Sequence, residues 1–131
     1  MEQEAQLGSV ALAALRLRIT NILPTQIREC LEQLDEDQLW WRPNETSNSV
    51  GNLVLHVSGA TRHYLSRSIG GLHYERDRPA EFSERGPLPK PELPAIYHDT
   101  ISEAAEVLDR FDTARFLDPT AEPSYYFTLF D

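Results

Sequence analysis

The sequence predicts an all-α fold, a helical bundle, on three observations. Apolar residues recur at three- and four-residue steps in three long stretches. No stretch alternates with the period of two that a half-buried strand needs. Proline- and glycine-rich breaks separate the stretches, as they separate helices. At 131 residues the chain reads as one domain, 1–131, large enough to bury a core without staples.

The first helix is predicted over about 5–34, with Leu12, Leu15, Ile19, Ile22, Leu23, Ile27, Leu31 and Leu34 as its apolar stripe. Pro24 interrupts it, so the chain should kink near Leu23 or start afresh with Pro24 in a first turn. Cys30 falls on the stripe and reads as a small buried hydrophobe. As the single cysteine it excludes an intrachain disulfide and a multi-thiolate zinc site. "LDEDQLWWRP" predicts a short helical turn that drops Leu39, Trp40 and Trp41 onto the bundle before Pro43 stops it.

"NETSNS" is a loop of capping side chains, and Asn48 or Ser49 should cap the second helix, about 49–70. Val50, Leu53, Val54, Val57, Ala60, Thr61 and Tyr64 form its stripe, and Gly70-Gly71 ends it. "LHYERDRPAEFSERGPLP" reads as a polar crossover loop. Its Arg76 and Arg78 could clamp an anion, but internal salt bridges are the favoured reading. A third helix over about 91–111 carries Leu93, Tyr97, Ile101, Ala104, Leu108 and Phe111. "DPTAEPS" is a loop, and "YYFTLFD" opens a further apolar element where the sequence stops. Three helices without a fourth leave a groove open, and an exposed apolar groove seeks a partner.

Twenty-one acidic against 12 basic residues give a net charge of −9, which argues against a nucleic-acid partner. No secretory signal is visible, and no uninterrupted apolar run approaches the roughly 20 residues that span a bilayer. The expectation is a soluble, cytoplasmic protein without a membrane partner.

Chemistry centres on His56. At about 100° per residue it lies roughly 80–100° from the centre of its helix's apolar stripe, on a polar flank with Ser49, Asn52 and His63. Bundles place inward metal ligands on such flanks. The spacing alone favours a hydrogen-bonded edge histidine, because His63 is seven residues on and roughly 10 Å away along the axis. His63 reads as solvated or acid-paired, His73 as a loop residue, and His98 as facing water beside Asp99.

The block "LDEDQLWWRPNETSNSVGNLVLHVSGATRHYL", followed by "GG", "RDRPAEF" and "LPKPEL", resembles the DinB-like (YfiT-like) metalloenzyme superfamily, in its branch of small uncharacterised bacterial proteins. The likeness runs from about Leu23 to Phe130. It implies an up-down four-helix bundle holding a divalent metal (nickel, zinc or iron) through three histidines. One of these sits mid-way along the second helix, where "GNLVLHVSG" places His56. The other two belong to a fourth helix downstream of the segment matched by "TLFD". His63, His73 and His98 match no ligand position, so the implied site is incomplete within these 131 residues.

By resemblance the relatives are metal-dependent thiol transferases, isomerases or hydrolases acting on a small thiol or another small molecule. The catalytic residues stay unassigned. With three long helices and a truncated fourth, this chain is expected to show weak or no metal binding and activity. The alternative is a non-enzymatic helical module that associates through the open groove, and the expected association is a homodimer in which each copy fills the other's groove.

Overall fold

The computed structural model describes residues 1–89, 91–120 and 128–130. Its elements are helical throughout the described residues, and the one β-type pairing there is an isolated bridge between Pro119 and Thr128. The all-α expectation therefore holds.

Helix α1 (Glu2–Leu17), a π-helical turn (Arg18–Ile22) and α2 (Leu23–Glu32) form one rod, Glu2–Glu32. Pro24 sits in the first turn of α2, as expected, and does not break the rod. The turn before it widens so that the amide of Leu23 donates to the carbonyl of Arg18, five residues back. That wider turn relieves the crowding of a proline ring on the preceding carbonyls. By length and composition the rod is apolar enough to cross a membrane, with a mean hydropathy of 1.2 over 18 residues. The window average tolerates Arg16 and Arg18, which interrupt the apolar run itself. Arg16 pairs with Asp109 of the neighbouring helix at the surface, with Nε 2.6 Å from Oδ1.

Asp35 caps α3 (Glu36–Trp40) through a reciprocal pair of bonds with Gln38, at 2.8 and 3.0 Å. Leu39 is buried and Trp40 half-buried, as predicted, but Trp41 is exposed. The helix ends at Trp40, and the extended backbone at Trp41 turns its ring away from the bundle. Trp40 lies against Gly51, where a Cβ would come within 2.8 Å of the ring.

Ser49 caps α4 (Val50–Thr61) through the same kind of box, with Asn52 as partner, and a π-helical stretch (Arg62–Ile69) extends it. The crossover predicted as loop contains a short helix, α5 (Arg78–Ser83). Its start signal was present: Asp77 accepts from the amide of Ala80, and Pro79 sits in the first turn. α6 (Glu92–Arg110) completes the bundle, followed by a 3₁₀ turn (Thr113–Arg115).

α6 packs against both α4 and the rod, and Leu31, Leu39, Val54, Leu93 and Tyr97 form the core. Between the rod and α4 the described residues leave an apolar groove open. One stretch, about 220 Å³, is lined by Ile27, Cys30, Val50, Leu53 and Val57 above Tyr97. A second, about 300 Å³, is lined by Leu12, Ile19, Tyr64 and Leu65 above Leu108. The predicted groove is therefore present. It also corrects the reading of Cys30, which is exposed because its stripe faces this opening rather than a neighbouring helix.

Of the C-terminal "YYFTLFD", residues 125–127 and Asp131 lie outside the described residues. The part that is described turns back on itself: the amides of Leu129 and Phe130 donate to the carbonyls of Asp118 and Phe116.

Candidate functional site

The side chains with chemistry gather where α4 meets α5. Asn52, fully buried, joins the two elements. Its Nδ2 donates to the carbonyls of Glu81 and Glu84, both at 2.9 Å, and its Oδ1 accepts from the amide and hydroxyl of Ser49 and from Arg42. Arg42 also donates to the carbonyl of Phe82 at 3.2 Å. Residues of the "WRPNETSNSVGN" block thus hold the C-terminal end of α5 against the first turn of α4. A buried amide that satisfies so many partners fixes geometry, because each lost bond would leave a desolvated group.

Held this way, α5 presents Glu81 to His56. The Glu81 Oε1 lies 3.0 Å from His56 Nδ1, and both carboxylate oxygens accept from Arg76, at 2.9 Å each. Glu81 is 8% exposed, Arg76 10% and His56 33%. The carboxylate also needs Gly59. A Cβ there would stand 1.9 Å from Oε2, so only glycine lets α4 approach this closely. Burial pushes the Glu81 carboxyl up, but the hydrogen bonds from Arg76 and His56 outweigh it and hold it below the ordinary carboxylate range. Arg76 is raised by its bond to Glu81.

The imidazole packs on Phe82, with centroids 4.8 Å apart. A carboxylate facing Nδ1 favours the tautomer that carries its proton there, since a lone pair would face the anion. The lone pair then sits on Nε2, able to take a proton or bind a metal. Arg76 Nη2, 3.2 Å from the same Nδ1, would donate there in the other tautomer, but the nearer and anionic Oε1, at 3.0 Å, decides for the protonated nitrogen.

The other histidines lie elsewhere. His63 is half-buried with its ring edge-on to Tyr64, at 4.8 Å. His73 is exposed in the crossover, and His98 faces solvent beside Asp99 at 3.6 Å, as expected. Among the described residues no group of three His, Cys, Asp or Glu side chains is placed to hold a metal ion. One imidazole is not a selective site, so these residues alone do not fit a divalent-metal centre.

The family model for mycothiol S-transferases matches residues 23–125. The chain belongs to that family. The mycothiol S-transferase family lies within the DinB/YfiT-like superfamily, as the resemblance implied. No curated protein and no solved structure matches the chain.

Sequence reasoning singled out His56 but missed Glu81 as its partner. The favoured reading of "YERDRPAEF", a segment held by its own ion pairs, is met by Arg76 and Glu81. Arg78 instead lies over the Phe82 ring, 5.1 Å from its centroid. The missed signal was the Asp77-Arg78-Pro79 start, which would have placed Glu81 on a helix facing α4.

Proposed function

We propose that this mycothiol S-transferase family member transfers a sulfur substituent to or from a low-molecular-weight thiol, with His56 as the reacting-side imidazole. The observation behind the reading is the contact of His56 Nδ1 with Glu81, itself held by Arg76. In such a transfer the thiol sulfur bonds to an electrophilic carbon and the leaving group departs with its bonding pair. The thiol proton must reach a base. An imidazole whose Nδ1–H is held by a buried carboxylate offers Nε2 for that proton.

In the resembled superfamily this histidine is a ligand of nickel, zinc or iron. That role for His56 requires donors beyond those described here, and metal content is expected to be well below one per chain. The reading places the protein in the bacterial cytoplasm, where a lone cysteine stays reduced.

The test is thiol consumption with a soft electrophile, supplying mycothiol, bacillithiol and glutathione in turn. The expected result is turnover with one thiol that His56→Ala abolishes and that Glu81→Gln reduces by roughly 10–100-fold. Wild-type rates equal to buffer, with or without added nickel, zinc or iron, would sink it. The open groove favours a second reading, a helical module that binds another protein there. Metal-independent, activity-free capture of a defined partner, abolished by Leu53→Glu, would establish that instead.

A further inference from the structure

The rod carries a second apolar face that the bundle does not use. Leu7, Val10, Ala14 and Leu17 follow the three- and four-residue steps of a coiled-coil seam, and all four are exposed, Leu7 at 70%, Val10 at 61% and Leu17 at 54%. At about 100° per residue this seam points nearly opposite to Gly8 and Arg16, which face Thr113 and Asp109 of the bundle. It is a ridge rather than a hollow, and it contains no charge. All of it lies before residue 23, where the family match begins.

We propose that this seam is the interface of an antiparallel, two-fold homodimer. Antiparallel pairing about a point between Val10 and Ala14 sets Leu7 opposite the second copy's Leu17, and Val10 opposite its Ala14. Large residues then meet in the outer layers while the central alanine lets the helices approach closely. The flanking charges fit the same register. Glu4 of one copy falls opposite Arg18 of the other, twice per dimer, both side chains being exposed. Parallel pairing brings no opposite charges together. For a chain of net charge −9 a neutral stripe bracketed by complementary charges is where two copies approach at least cost.

The groove is the poorer self-association surface. A hollow laid on a hollow leaves a void, whereas the seam packs on its own copy and closes with two-fold symmetry.

Sedimentation equilibrium on the whole chain, up to roughly 100 μM, tests this. The expected result is a reversible dimer. Glu4→Arg and Arg18→Glu should each raise the dissociation constant about tenfold, and the double swap should restore it to within about threefold. Val10→Lys with Leu17→Lys should give a monomer with unchanged circular dichroism, since both sites are exposed. A wild-type monomer throughout, a dimer that survives the double lysine variant, or a dimer abolished by Val57→Lys alone would overturn the proposal. So would partition of a monomeric wild type onto phosphatidylcholine vesicles.

Discussion

The two faces of α4 reverse the usual relation between polarity and burial. Towards α5 the helix presents Asn52 and Gly59, both buried, with half-buried His56 beside them. Towards the groove it presents Leu53 and Val57, which remain 48% and 38% exposed. What lies across from each face decides this, not the residues themselves. α5 brings backbone carbonyls that pair with Asn52 and a carboxylate that faces His56, while Leu53 and Val57 have no comparable cover among the described residues. The polar face is therefore organised around directed bonds with little tolerance, and the apolar face contributes little to holding the fold as described.

That contrast can be broken most sharply at Gly59. Gly59→Ala should cost roughly 4 kcal/mol in urea unfolding, because the new methyl displaces a buried carboxylate from its partners. A loss below about 1 kcal/mol would mean that α5 moves freely against α4.

Arg76→Met should come next, at about 3 kcal/mol near neutral pH, since it strands Glu81 without its cation. The sign of the pH dependence follows from the depressed Glu81 carboxyl. In the wild type its contribution is full above the ordinary carboxylate value and is lost as pH falls through the lower folded value. The deficit of Arg76→Met should therefore be largest at neutral pH and shrink on acidification, as the stranded carboxyl protonates. A deficit that does not vary with pH would show that Arg76 acts through packing alone.

Asn52→Ala should cost about 2 kcal/mol, from the unpaired carbonyls of Glu81 and Glu84 and the lost capping box. On the opposite face Leu53→Gln and Val57→Thr should each stay within about 0.5 kcal/mol. Losses above about 2 kcal/mol at those two sites would show that the groove is filled in solution.

The apolar half of this contrast was legible in the sequence, and the polar half was not. The stripe Val50, Leu53, Val54, Val57 was correctly read as one face, because periodicity reports which residues share a side. It cannot report whether that side is covered, which is why Cys30 was expected to be buried and is exposed. Trp41 was misplaced for a local reason, one residue beyond the end of α3. Glu81 was hidden because its partner lies 25 residues away and its helix is only six residues long, too short to show a period.

The widened turns at Arg18–Ile22 and Arg62–Ile69 stand on the two walls of the groove and act as phase shifters. Each inserts extra backbone without ending its helix, so the inward series changes from one set of positions to another along the same rod. Leu12, Leu15 and Ile19 face in before the first turn, and Ile27 and Leu31 after it, a spacing that an uninterrupted α-helix does not keep. Removing one residue within 18–22 would close the turn to an ordinary α-helix and rotate everything beyond it by about 100° relative to Leu12. Ile27 and Leu31 would swing out of the core while every side chain stayed chemically the same. Single-residue deletions should therefore be tolerated in the crossover around His73 and be ruinous in these two turns.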